Sequence, residues 1–436
     1  MNKYLFIIGL VGTALFTACS TADDLISEKP IETPPVEEPK ETALIVEAGQ
    51  NSEVPITLGV GSSRGVTRKP IESGAGNIFS TEEGKYLGVF CLATGTQSNV
   101  DNIPTEISTN KWVKDDATGL IVRLSNVPAK VTIDGSISNV QFWDITNSRV
   151  QHFYYPMGNW MVYNFYAYYP READENISFT SAGSGALVKY ITINGSQDVI
   201  WGKAHQEKAP KVSTANDANP YCAKYFRLKR DSIANSPDPS GDISILYPKM
   251  EFEHLLSQFK FSIEPENAAA WTAISGMGGM AITDMYISNA ISNLQLIVAN
   301  KKNPGTEGSL SKKDGTTEKL YIKANGEDNN LFSSSPSGAQ VSSIAIEETS
   351  VTVPGYIILP PSGVGTEDYE LCLNYSIGGE KQKEPMRVKM TRSEGFAKGQ
   401  VYNISIKVRS PQEIFATATL SSWGTPINVD PYTIED

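Results

Sequence analysis

The chain has 436 residues, 40% hydrophobic and 20% charged, with a formal net charge of −12. That hydrophobic share is enough to build cores, and at about 150 residues per domain the length predicts two or three domains. An acidic chain with no basic patch interleaved with aromatics does not seek nucleic acid, and that class of partner is excluded.

At the N-terminus Lys3 precedes an apolar run from Leu5 to Phe16. The run has the length of a signal-peptide core and falls short of the roughly 20 residues a spanning helix needs. Leu15-Phe16-Thr17-Ala18-Cys19 follows, with small residues just before a cysteine. This resembles a bacterial lipobox, which implies cleavage before Cys19 and acylation of its thiol. An ordinary signal peptide cut nearby is the alternative. Acyl chains anchor by burying methylenes, at about 0.8 kcal/mol each. The segment from Thr21 to Thr42 mixes Pro30, Pro34, Pro35 and Pro39 with many carboxylates. It has little to bury and is predicted to be an extended, disordered tether.

From Glu53 onward a period of two dominates, the mark of half-buried strands. Val54, Ile56, Leu58 and Val60 share one face of the first strand. Further strands are predicted at 86–93, 120–127, 131–137, 141–145, 160–169 and 187–193. The richest loop tract, 202–242, places a domain boundary near its start. Beyond it come 243–247 and the long run 250–263. Met250, Phe252 and His254 alternate there, then Phe259, Phe261 and Ile263 alternate in the opposite phase. The flip at Leu255-Leu256 predicts a bulge or a bend between two sheets. Strands at 294–298, 320–323, 351–359, 369–377, 386–390, 401–408, 415–420 and 427–429 complete the series. Only 264–274 reads as a short helix. The prediction is an all-β chain of two tandem sandwiches, with signal peptide 1–18, lipidated tether 19–43, and β-sandwiches at 44–208 and 209–436.

Chemistry-bearing residues are sparse. Beyond Cys19 there are Cys91, Cys222 and Cys372, enough for at most one disulfide. Cys91 and Cys372 sit in apolar alternating runs and read as small core residues. The three histidines, His152, His205 and His254, are far apart, which gives a metal site or a histidine triad little to work with. Ser257-Gln-Phe-Lys260 spells a Ser-x-x-Lys pattern, but in a strand-like run without its partner motifs. Asp115-Asp116 and the tract from Asn325 to Asn330 are oxygen-rich but lack the spacing of a calcium loop. Trp143, Tyr154, Tyr155, Trp160, Tyr166, Tyr168 and Tyr169 read chiefly as core, with sugar stacking the alternative for exposed members. No catalytic residue, cofactor or metal is predicted, and the chain reads as a non-enzyme.

Several segments together resemble the fimbrillin family, the lipoprotein pilins of type V pili. They are the lipobox at Cys19, the first strand followed by Arg64 and Thr67-Arg68, 162–170 (VYNFYAYYP), 198–204 (DVIWGKA), 252–261 (FEHLLSQFKF), 399–408 (GQVYNISIKV) and 420–423 (LSSW). The resemblance implies two transthyretin-like sandwiches and assembly by strand exchange. It further implies that a trypsin-like protease removes the first strand and that a neighbouring subunit's strand then fills the groove. Carried onto this chain, the replaceable strand would be Glu53–Val60, with Val54, Ile56, Leu58 and Val60 on its apolar face, and the cut would follow Arg68 or Arg64. The donor candidate is the C-terminal stretch carrying Ile427 and Val429, flanked by Pro426 and Pro431, which restrict pairing. Five inserted apolar side chains would contribute on the order of 10 kcal/mol. The implied product is a stalk, tip or accessory subunit of a surface pilus, anchored first in the outer membrane by lipid. Its partners are other pilin subunits and a host or bacterial surface ligand. The alternative is a surface lipoprotein that binds a glycan or host ligand without polymerising.

Overall fold

The computed structural model describes residues 54–60, 85–94, 124–134, 137–155, 162–172, 177–179, 186–205, 248–300, 303–364, 366, 368–410 and 413–421. All of them fall in one unit, Ile45–Asp436. Strands dominate, as the period of two predicts. Among the described residues the helical elements are the α-helix Ala268–Gly276, capped by Asn267, and a 3-10 turn at Pro304–Thr306. No helix among them is long and apolar enough to cross a membrane.

The first half of the chain builds an eight-stranded sheet in the order Leu58–Val60, Lys249–His254, Ile200–His205, Val162–Tyr169, Leu87–Thr94, Val127–Asp134, Ile137–Asp144 and Arg149–Val150. Leu58–Val60 also pairs with Ile137–Asp144, so the sheet closes on itself as a barrel. Closure removes sheet edges. The alternating apolar residues point inward, with Leu58, Leu87, Val89, Phe165 and Phe252 in one buried core.

Of the expected strands at 120–127 and 131–137, residues 120–123, 135 and 136 lie outside the described residues, and the described part holds one strand, Val127–Asp134. Asn126, at φ 54°, breaks the ladder after Leu124, whose carbonyl accepts from the Cys91 N–H at 2.8 Å. Asparagine tolerates that left-handed conformation.

The second half is a sandwich. One sheet runs Lys323–Ala324, Val351–Leu359, Ser257–Pro265, Val401–Ser410 and Glu413–Ser421. The other is built on Met280–Ala290 and Tyr369–Ile377, with Glu318–Tyr321 and Met386–Met390 at its flanks. Phe259, Ile263, Ile282, Leu371, Tyr402 and Ile406 are among the residues packed between them.

The phase flip at Leu255-Leu256 is the point where one run leaves the barrel and enters the sandwich. Lys249–His254 belongs to the barrel sheet and Ser257–Pro265 to the centre of the next. A third core seals the junction, with Phe90, Tyr168 and Val199 from one half meeting Leu256, Leu296 and Ile358 from the other. The four-stranded sheet beside it pairs Ala186–Thr192 with Asn293–Asn300 across the halves. The predicted division at 208/209 lies outside the described residues, as does the predicted strand 243–247. Lys249–His254, beyond that division, completes the barrel of the first half.

Candidate functional site at the barrel seam

The predicted replaceable strand is in the structure, and it works in two pieces. Val54–Pro55 pairs antiparallel with Tyr154–Tyr155. Leu58–Val60 then enters the barrel between two neighbours. It runs antiparallel to one, Leu58 opposite Val140 and Gly59 opposite Asn139, and parallel to the other, Gly59 opposite Lys249 and Val60 opposite Met250. The Gly59 N–H donates to the Pro248 carbonyl at 3.0 Å, and the Ile56 N–H to the Phe153 carbonyl at 2.7 Å.

Alternation holds along this segment. Ile56 and Leu58 are buried in the barrel core, Leu58 completely, and Val60 is half-buried against it. Pro55, Thr57 and Gly59 are also only half-buried. The two buried side chains described, at about 1.5–3 kcal/mol each, contribute roughly 3–6 kcal/mol.

Pro55 is tolerated for a geometric reason. With Ile56 donating to Phe153 opposite, the neighbouring pair Pro55/Tyr154 falls at a position where facing residues exchange no hydrogen bond. Sequence reading missed the arm 151–155 as part of the site. Its aromatics stood out only as a cluster. Phe153 packs edge-to-face on Phe142, ring centroids 5.2 Å apart, at the mouth of the same core.

Cys19, Arg64, Arg68, Cys222, Ile427 and Val429 lie outside the described residues, as do Asp115-Asp116 and Trp160. The first part of the expected donor stretch is engaged within the chain. Glu413–Ser421 pairs antiparallel with Val401–Ser410 as the last strand of its sheet.

The remaining candidates fall into structural roles. His254, buried, is hydrogen-bonded through Nδ1 to the Asp198 carboxylate beside the crossing from barrel to sandwich. Ser257 is fully buried, with its hydroxyl donating to the Ala397 carbonyl, whereas Lys260 on the same strand is exposed. The pair therefore has no catalytic geometry. Cys91 and Cys372 are buried free thiols, and burial pushes both up in pKa. In the tract from Asn325 to Asn330, Glu327 accepts from the Ala339 N–H and Asp328 from the Ser196 hydroxyl, so these carboxylates tie loops together. Among the described residues no group of three or more His, Cys, Asp or Glu is placed to hold a metal. Tyr166, Tyr168 and Tyr169 are buried. Trp143 is half-buried, with Lys130 Nζ 3.8 Å above its ring.

One polar cluster was not anticipated. Glu307, on the turn after Pro304–Thr306, accepts from the Tyr166 hydroxyl at 2.9 Å, from Lys203 Nζ at 2.6 Å and from the Asn300 N–H at 3.0 Å. Tyr166 and Lys203 are on neighbouring barrel strands, so this carboxylate from the second half clasps the first.

No family model matches the chain, and no curated protein does. Solved structures that it resembles are fimbrial and cell adhesion proteins of Bacteroidetes, and none of those named is an enzyme. One is assigned to cell adhesion in Bacteroides uniformis, at 14% identity and a TM-score of 0.40, covering 86% of this chain and 99% of that one. The fimbrial anchor protein Mfa2 of Porphyromonas gingivalis stands at 8% identity and a TM-score of 0.32, covering 85% and 98%. The tip fimbrial protein Mfa3 of the same organism stands at 7% and 0.31, covering 85% and 100%. At these values the likeness marks neighbours in fold space and does not define membership.

Proposed function

We propose that the chain is a subunit of a cell-surface fimbria, exported as a lipoprotein on Cys19, that joins its neighbour by exchange of the strand at the barrel seam. The observation that carries this reading is the position of Leu58–Val60. It is the closing stave of the barrel, paired on both edges, and Arg64 and Arg68 follow it within a few residues in the sequence. A cut after Arg64 or Arg68 would sever it from everything that follows. Its departure would leave two unpaired edges, at Asn139–Val140 and at Lys249–Met250, beside the pockets of Ile56 and Leu58. Such an edge is a template for another strand, which satisfies the backbone and refills the pockets.

The reading divides the body at 208/209, with the 249–254 strand returning to the first part. It gives Ile427 and Val429 the role of donor and other subunits the role of partner, and it requires no catalytic centre. The test is limited trypsin digestion of the folded chain followed by electrophoresis without boiling. A stable core beginning at Gly65 or Lys69 that assembles into ladders is the expected result. A trimmed product that stays monomeric overturns polymerisation and favours a tethered surface protein that binds a glycan or host ligand.

A further inference from the structure

The seam strand is held in two places, and only one of them is the barrel. Upstream of the stave, Val54–Pro55 pairs with Tyr154–Tyr155, and Ile56 donates to the Phe153 carbonyl. The arm 151–155 follows the Ile137–Asp144 and Arg149–Val150 hairpin, and the Gln151 N–H ties it back to the Phe142 carbonyl at 3.0 Å. Beyond that tie, among the described residues, the backbone of Phe153, Tyr154 and Tyr155 pairs with residues 54–56. Phe153 meanwhile packs on Phe142 beside the Ile56 pocket.

We propose that the Phe153–Tyr155 arm is a second grip for whatever strand fills the barrel seam. The partner it fits is an extended segment spanning the full length of positions 54–60. That segment runs antiparallel to Tyr154–Tyr155 and then parallel to Lys249–Met250. It is apolar at the positions of Ile56 and Leu58 and needs no N–H at that of Pro55. This inference rests on the strand-exchange reading and adds to it a length requirement. A segment matching only the stave satisfies the barrel edges but leaves the arm without its backbone partner. The arm is thus ordered by a filled seam and released by an empty or half-filled one.

The test uses the full chain carrying Ile56→Asp, which places a carboxylate in the apolar pocket and expels the strand. Amide hydrogen exchange is followed at 139–140 and at 151–155. Exchange at 151–155 is expected to rise at least about tenfold over the unaltered chain, while the strands 162–169 and 200–205 stay protected. A peptide of residues 54–60 added in trans is expected to restore protection at both places. A peptide of residues 56–60, which keeps both Ile56 and Leu58 but lacks Val54–Pro55, is expected to protect 139–140 and not Tyr154–Tyr155, with at least about tenfold faster dissociation.

Equal dissociation of the two peptides, or unchanged protection of 151–155 in the variant, overturns the grip. Failure to take up either peptide overturns strand exchange itself. Should Ile56→Asp not fold, Tyr155→Pro removes an arm N–H and leaves the seam strand's own residues unchanged. It is expected to raise exchange at 54–56 in the full chain, and unchanged exchange there also overturns the grip.

Discussion

Lys203 Nζ lies 2.6 Å from Glu307 Oε2, joining residues 104 positions apart. The lysine side chain is 40% exposed and the glutamate 4%, so the clasp has one wet partner and one dry one. Glu307→Ala would leave the Tyr166 hydroxyl and the Asn300 N–H short of an acceptor, at about 3–5 kcal/mol by chemical denaturation. A double-mutant cycle with Lys203→Ala is expected to return a coupling of about 0.5–3 kcal/mol. Burial first, and the Glu307 carboxylate second, push the Tyr166 phenol well above its usual range. Its titration should therefore move down in Glu307→Ala, and an unchanged titration would argue against the contact.

Leu58, on the seam strand, is fully buried. Leu58→Ala is expected to lower unfolding stability by about 2–5 kcal/mol. Thr57→Ala, on the other face of the same strand, should stay within about 0.5 kcal/mol. Equal effects at the two positions would mean that the segment lies against the barrel without entering it.

Gly308 has φ +72°, and a Cβ built there would stand 2.5 Å from the Trp201 ring. The Trp201 indole N–H donates to the Val298 carbonyl at 2.8 Å, so the ring has little room to yield. Gly308→Ala should cost about 1–3 kcal/mol, from overpacking and from the strained backbone together. The loss should appear as quenching or shift of the Trp201 emission as well as a lower midpoint.

Glu370 supplies a pH-dependent term. The Ser288 hydroxyl at 2.7 Å, then the Arg387 guanidinium at 2.6 Å, hold its carboxyl below the ordinary range. A folded-state value below the unfolded one gives stability that is complete above the unfolded value and lost as pH falls through the folded one. Both side chains are partly exposed, so the effect is modest. Arg387→Met should therefore give up less stability than the unaltered chain between roughly pH 5 and pH 3. Parallel acid curves for the two proteins would show that solvent screens the pair.

Much of the fold was legible where alternation runs unbroken. Val351–Leu359, Tyr369–Ile377 and Met386–Met390 have the bounds their patterns indicate. The doubled leucine at 255–256 announced the change of sheet. Met280–Ala290 was missed because its register shifts between Ile282 and Asp284, which breaks the period of two and puts a carboxylate mid-strand. At the seam, Ile56 and Leu58 could be read from spacing. Their partners at 139–140, 154–155 and 249–250 could not, because pairing between distant segments leaves no local periodicity. Barrel closure was hidden for the same reason, and the Glu307 clasp sits on a turn that carries no motif.

The unbroken run from Lys249 to Pro265 has a mechanical meaning. A pull on the seam strand passes to the neighbouring backbone at Lys249–Met250, then along covalent bonds through Leu255-Leu256. It spreads next into the parallel ladder between Gln258–Pro265 and Val401–Val408. Tension entering at the seam is thus handed to the central strand of the sandwich sheet by the chain itself, and the apolar contact between the two halves need not bear it alone.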